Sequence, residues 1–213
     1  MLELNKLYNM DCMEGMKDIP DKYFELAIVD PPYGINIDNN MGRRKGDKPS
    51  EYKKVTWDNE PPTAEYFTEL LRVSQNQIIW GANHFISKIP YDSPCWICWD
   101  KGFSADVSFA SFELAYTSFK SPSKRYTLTS AQNDRIHPTQ KPVKLYKWLL
   151  KNYAKQGDKI LDTHVGSGSS LIACLDMGFE YMGFEIDEEY YNSASKRIED
   201  AMNQLSFFNT GVL

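Results

Sequence analysis

Along the chain, short apolar runs alternate with stretches whose apolar residues recur every three or four positions. That alternation predicts strands and helices in turn, an α/β arrangement. Leu4 to Met10 reads as a first strand ending at Asp11, and Met13, Met16 and Ile19 mark an amphipathic helix that leads back to a second strand, Glu25-Leu26-Ala27-Ile28-Val29. Two parallel strands joined by a helix follow from that order. Thr63 stands where a cap is needed for a helix striped by Tyr66, Phe67, Leu70 and Leu71. Further strands are predicted at Gln77 to Gly81, Cys95 to Asp100 and Phe112 to Phe119, and a helix from Val143 to Tyr153 with Leu145, Trp148, Leu149 and Tyr153 at helical spacing. In the last third, Lys159 to Asp162 is a strand, Gly166 to Ser170 a tight turn, Leu171 to Met177 a helix stopped by Gly178, and Tyr181 to Phe184 a strand ending at Glu185. No internal repeat appears.

Two polar segments interrupt the alternation, 35–62 and 120–135. The first, Ile35 to Pro62, is glycine-bearing, basic and too long for an ordinary connection, so it reads as a substrate-facing loop. Within the second, Ser121 to Gln132 carries Lys124, Arg125 and Tyr126 among hydroxyl residues and reads as a loop as well. At 213 residues and 42% hydrophobic, the chain suits one domain, 1–213, with a full core.

Charge changes the picture. The net charge of −5 argues against a nucleic-acid partner, but the average conceals a segregation. Between Met41 and Lys54, six basic residues including Arg43, Arg44 and Lys45 stand against Asp47 and Glu51; between Leu114 and Gly157, nine stand against Asp134 alone. A protein with one face toward phosphates and the other toward water has this distribution. Lysines on solvated helix faces are the bland alternative. The four cysteines, with no signal peptide or long apolar run, favour a reducing cytoplasm and no membrane. Cys95-Trp-Ile-Cys98 has metal or redox spacing, yet no second Cys/His pair lies near it and its strand-like context turns the two thiols to opposite sides, so no metal site is expected.

Two stretches carry chemistry. Asp30-Pro31-Pro32-Tyr33-Gly34 follows the second strand directly, at the carboxyl end where open α/β sheets bind ligands. Two prolines without N–H donors end the ladder and leave carbonyls free to accept, an aromatic ring follows, and a glycine lets the chain turn away. A stiff pair of acceptors beside a flat ring suits the exocyclic –NH2 of a stacked heterocycle; a surface turn with a buried Tyr is the alternative. The second stretch is strand, Gly166-Ser-Gly168 turn, helix, strand and Glu185, which suits a nucleotide: backbone approach at a helix N-terminus, then a carboxylate for ribose hydroxyls. Leu171 stands where a nicotinamide fingerprint wants a small residue.

Taken together and in this order, Asp30-Pro-Pro-Tyr33, His137-Pro-Thr-Gln-Lys-Pro142 and Leu161-Asp-x3-Gly-Ser-Gly-Ser-Ser170 resemble the amino-group DNA methyltransferases that use S-adenosylmethionine, of the permuted β class. The resemblance covers nearly the whole chain. It implies a Rossmann-like, seven-stranded, mostly parallel sheet with one reversed strand, circularly permuted so that the usual third strand comes first, with a small inserted target-recognition region. It further implies that Asp30, Pro31, Pro32 and Tyr33 are catalytic, Asp30 bordering the cofactor as well. Glu185 would hold the ribose and Asp11 the adenine of S-adenosylmethionine, and Asp162 with Gly166, Ser167, Gly168 and Ser169 the methionine end. Thr139, Gln140 and Lys141 would lie near the methionine carboxylate. Where the family usually has Pro-Phe, this chain has Thr163-His164; a histidine near the sulfonium should stay neutral, or else pack as an ordinary loop histidine. His137 is expected to order the turn before its helix rather than do chemistry.

The expected reaction is methyl transfer to N6 of an adenine flipped out of double-stranded DNA, with Arg43, Arg44, Lys45, Lys124 and Arg125 on phosphates. Tyr33 would offer its ring, its hydroxyl being spare. N4-cytosine or RNA-adenine methylation, a catalytically silent cofactor-binding subunit, and a nicotinamide oxidoreductase are the rival readings. A homodimer or a second recognition subunit is a further expectation, because little chain is left over to read a sequence.

Overall fold

Phe24–Val29 forms β2 because six consecutive non-polar or half-buried positions offer side chains to both faces of a sheet. Leu26 and Ile28 point to one face with Ile78, Trp80 and Ile160, while Ala27 and Val29 point to the other with Ile79 and Leu161. The computed structural model describes residues 2–35, 60–102, 110–131, 135–137 and 139–209. In chain order its elements are β1 (Lys6–Asn9), α1 (Cys12–Lys17), β2, α2 (Ala64–Val73), β3 (Ser74–Trp80), β4 (Trp96–Asp100), β5 (Phe112–Thr117), β6 (Lys124–Thr127), α3 (Val143–Tyr153), β7 (Lys159–Asp162), α4 (Ser169–Met177), β8 (Glu180–Glu185) and α5 (Glu188–Asn209).

The described strands form one sheet in the order β1-β8-β7-β2-β3-β5-β4-β6. Every neighbouring pair is parallel except those that β5 makes with β3 and β4, so β5 is the one reversed strand. Helices cover both faces. Met16 of α1 and Tyr66, Phe67, Leu70 and Val73 of α2 pack on one; Leu145, Tyr146, Leu149 and Leu150 of α3, the α4 run from Leu171 to Cys174, and Ala194 and Ile198 of α5 pack on the other. Removing a fully buried residue such as Leu70 would cost about 2–5 kcal/mol, since the cavity adds to the lost transfer energy.

The mixed α/β sheet with a single reversed strand agrees with the reading of the chain; the strand count does not. Seven strands were expected and the described residues hold eight, because Lys124–Thr127, inside the segment read as a loop, pairs in parallel with β4 along Ile97–Asp100. Among the described strands β6 lies at the edge with β4 as its neighbour, and its polar, largely exposed residues show no apolar alternation. Thr63 occupies the N-cap of α2 with extended backbone and hydrogen-bonds the Glu65 side chain rather than a backbone N–H of the first turn. Among the described residues no helix is long and apolar enough to cross a membrane. The four cysteines are free thiols.

Candidate active site

Five neighbouring parallel strands bring polar residues to one edge of the sheet. In spatial order the residues at or just beyond their carboxyl ends are Asp11 after β1, Glu185 closing β8, Asp162 closing β7, Asp30 after β2 and Trp80-Gly81 at β3. Strands about 4.8 Å apart place these groups in one row.

On the β2 side, Asp30 is fixed at both oxygens. Tyr33 Oη donates to Oδ1 at 2.7 Å, and Lys141 Nζ donates to Oδ2 at 2.5 Å. The Lys141 side chain is only 2% exposed; its ammonium also meets Glu113 Oε2 at 3.1 Å, and Lys101 holds Glu113 Oε1 at 2.7 Å. Burial pushes the Asp30 carboxyl up and Glu113 adds to this, while Lys141 pulls it back; the net direction is upward. Burial acts on Glu113 too, but two ammonium groups outweigh it and hold that carboxyl down to about 2. For Lys141 burial works against the charge and the two carboxylates prevail, so its pKa rises.

The ring of Tyr33 lies over Gly81. A methyl at Gly81 would fall 2.1 Å from Tyr33 Cε1, and φ there is +66°, so both space and backbone require glycine. His84 stacks on the Tyr33 ring at 5.0 Å and 15°.

On the β7/β8 side the carboxylates meet neutral donors. Glu185 Oε2 accepts the Gly166 N–H at 2.8 Å and Oε1 the Asp187 N–H at 2.9 Å; burial nonetheless raises its pKa. Asp162 Oδ1 accepts the His164 N–H at 3.0 Å and Oδ2 the Ser170 hydroxyl, and burial pushes this carboxyl up to about 7. Gly168, at φ +80°, caps α4, and Ser167 and Ser169 share a hydroxyl contact at 3.0 Å. Arg197 of α5 braces this turn through the Ser167 carbonyl. Asp11 is an N-cap: its Oδ1 accepts the Met13 N–H at 2.7 Å at the start of α1.

The 135–142 segment joins the two sides. His137 packs over Gly166 and against Tyr190, and its Nδ1 lies 3.3 Å from the Thr139 N–H and 3.1 Å from the Thr139 hydroxyl. Burial holds its pKa down to about 4, so it orders this turn as a neutral ring, as expected. Gln140 Oε1 accepts the Ile136 N–H at 2.9 Å. Thr139 and Gln140 therefore serve the turn, while Lys141 reaches Asp30 rather than the Gly166–Ser169 turn. Beside them, Tyr66 Oη lies 2.7 Å from Thr163 Oγ1, which lies 2.9 Å from His164 Nδ1. Burial lowers the His164 pKa to about 4, so the ring is neutral.

The basic residues expected on phosphates are less gathered. Arg43, Arg44 and Lys45 lie outside the described residues. Lys124 opens β6 opposite Ile97, at the amino end of β4 and away from the Asp30 edge, with Nζ 3.0 Å from Asn152 Oδ1 and over the Tyr153 ring. Arg125 follows it, exposed. Glu113 and Arg197 were missed from sequence. Glu113 sits on an alternating strand where a carboxylate reads as a solvent-facing residue, and Arg197 lies on a helix beyond the last recognisable motif.

The family description "DNA methylase", covering N6 and N4 enzymes, matches residues 79–196, more than half of the chain. The type II methyltransferase M.HinfI of Haemophilus influenzae is 24% identical over 250 aligned positions, 92% of this chain and 69% of that protein. Among solved structures, the M1.HpyAVI–SAM complex superposes with a TM-score of 0.60 at 21% identity, covering 90% of this chain and 98% of that one. The cytosine-N4-specific PvuII DNA methyltransferase gives 0.62 at 11% identity, covering 96% and 93%. At such identities the superpositions speak for the fold.

Proposed function

The chain belongs to the N6/N4 DNA methylase family, and from that premise we propose that it transfers the methyl group of S-adenosylmethionine to N6 of an adenine flipped out of double-stranded DNA. The observation that carries the reading is the row of strand ends, which sets Asp30 and Tyr33 beside Asp162, Glu185 and the Gly166–Ser170 turn.

The residues fit the cofactor. Glu185 offers a buried carboxylate to ribose hydroxyls, with backbone donors already holding it in place. Asp162, kept high by burial among neutral donors, lacks the positive charge that the amino and sulfonium groups would bring. Asp11, His164, Gly166, Ser167, Gly168 and Ser169 line the same stretch of the edge. When bound, S-adenosylmethionine supplies an electrophilic methyl group.

The remaining work falls to this chain. The lone pair of an exocyclic amine is delocalised into its ring, so the site must orient the nitrogen and favour its pyramidal form. Asp30 and the Pro31 carbonyl accept the two N–H bonds, and Pro32 keeps the second acceptor rigid. The Tyr33 ring would replace the stacking lost when the base leaves the duplex, the base taking the place of the His84 imidazole that lies against it. Asp30 takes the proton released as the nitrogen becomes acidic, a task suited to a carboxyl raised by burial. The segments 35–62 and 120–135 would read and grip the duplex, Arg43, Arg44, Lys45 and Arg125 through phosphates, within a single domain of a cytoplasmic restriction–modification enzyme, alone or with a second copy.

Nucleosides from DNA treated with the protein and the cofactor, analysed by mass spectrometry, test the reading. N6-methyladenine is the expected product. The second reading, N4-cytosine methylation, draws on the likeness to the PvuII enzyme, and N4-methylcytosine would put it in first place. Product on RNA alone would overturn the substrate class.

A further inference from the structure

The charged groups on the β2 side form a line, not pairs. Lys101 just after β4, Glu113 on β5, Lys141 ahead of α3 and Asp30 after β2 touch in sequence at 2.7, 3.1 and 2.5 Å. Four separate parts of the chain converge here, and the central ammonium is almost wholly withdrawn from water. A buried one-to-one pair of Lys141 with Asp30 would fix the carboxylate but cancel its charge, leaving little field for an amine that becomes cationic as it gains a methyl group. Two carboxylates facing one ammonium avoid this. Lys141 is shared, and Lys101 holds the other oxygen of Glu113.

We propose that Lys141 is a positioning residue that aims Asp30 and keeps it ionised, and that Glu113, drawing on the same ammonium, leaves Asp30 with more affinity for the proton of the acceptor amine. The inference rests on the methyl-transfer reading above and assigns Lys141 to the acceptor, away from the methionine carboxylate. Lys141 has geometry for this: its Nζ is also 3.3 Å from Tyr33 Oη and sits over the Trp80 ring at 5.3 Å, which confines the side chain. The titratable groups facing Asp30 are Lys141, Glu113, Tyr33, Tyr66 of α2, Tyr146 of α3 and Asp162 of β7. Burial keeps the three phenols neutral, so Asp162, raised to about 7, is the nearby group whose titration must be told apart from that of Asp30.

The two neighbours pull Asp30 in opposite directions, and this gives the test. The Asp30 titration is read by infrared difference spectroscopy of the cofactor-free protein, as the carboxylate band that Asp30→Asn lacks; this separates it from Asp162. Lys141→Met should move the midpoint up by at least about one pH unit, and Glu113→Gln should move it down. The acid limb of the methyl-transfer pH profile should follow in the same directions, with turnover reduced about 10²-fold in Lys141→Met, while calorimetric cofactor affinity stays within a few-fold of native. Glu113→Gln keeps the test open if Lys141→Met does not fold. Midpoints that stay put, or that move together, overturn the inference. So does a loss of cofactor affinity in Lys141→Met with Asp30 unmoved, which returns Lys141 to the methionine carboxylate. A native protein without methyl-transfer activity counts against the proposed function, and the infrared titration still decides this inference by itself.

Discussion

The two halves of the edge solve the problem of a buried carboxylate differently. At β2 and β5, Asp30 and Glu113 are met by ammonium groups; at β7 and β8, Asp162 and Glu185 are met by backbone N–H groups and a hydroxyl. An ammonium partner makes a carboxylate independent of what binds. A neutral partner fixes its direction but leaves its charge incomplete, ready for a cationic ligand. Under the proposed function, the contrast separates the half that would receive the cofactor from the half that would act on an uncharged base.

Exchanging the losses would break the comparison most sharply. Asp30→Ala should lower methyl transfer by about 10²–10⁴-fold and leave cofactor affinity within a few-fold, whereas Glu185→Ala should weaken the cofactor about tenfold to a hundredfold, because it removes an ionised acceptor and loosens the Gly166 turn. Calorimetry beside single-turnover rates reads both, and matching losses of affinity would erase the distinction.

A second measurement sharpens it through pH. Burial lifts Asp162 from an ordinary 3.8 to about 7, so in that window the folded protein holds a proton the unfolded chain has lost, and this group's contribution to stability falls as pH rises. A cationic cofactor should displace that proton, so affinity should climb as pH rises through about 7, with proton release visible in buffers of different ionisation enthalpy. Asp162→Asn should flatten both dependences. A native protein whose affinity is level across that range would remove Asp162 from the cofactor.

The smallest effect concerns Tyr33. From the sequence its hydroxyl looked dispensable, but it donates to Asp30 at 2.7 Å. Tyr33→Phe should cost about 0.5–1.5 kcal/mol, a few-fold to roughly tenfold in turnover, with DNA affinity retained. Unchanged turnover would show that Lys141 alone holds Asp30.

Local pattern carried most of the fold. Val143–Tyr153 and Lys159–Asp162 have the ends their periodicity predicts, and Asp30 and Glu185 lie at the strand ends where apolar runs stop. What escaped was set by partners distant in sequence. The polar β6 is a strand because β4 offers a ladder, which no window over Lys124–Thr127 contains. Glu113 and Lys141 are 28 positions apart, and neither has a neighbour in sequence that announces the other. The position of Lys141 followed a motif, and the motif could not say which way the side chain turns.

The contact between α2 and the loop after β7 has a direction. Among the described residues the buried Tyr66 hydroxyl has Thr163 Oγ1 as its hydrogen-bond partner, so it must donate there or strand its proton away from water. Thr163 then gives its own proton to Nδ1 of His164, and the imidazole, held neutral, carries its single hydrogen on Nε2. A phenol 97 positions away thus sets the tautomer of a ring beside Asp162. The Thr163-His164 pair thus gives this loop an uncharged donor of fixed polarity.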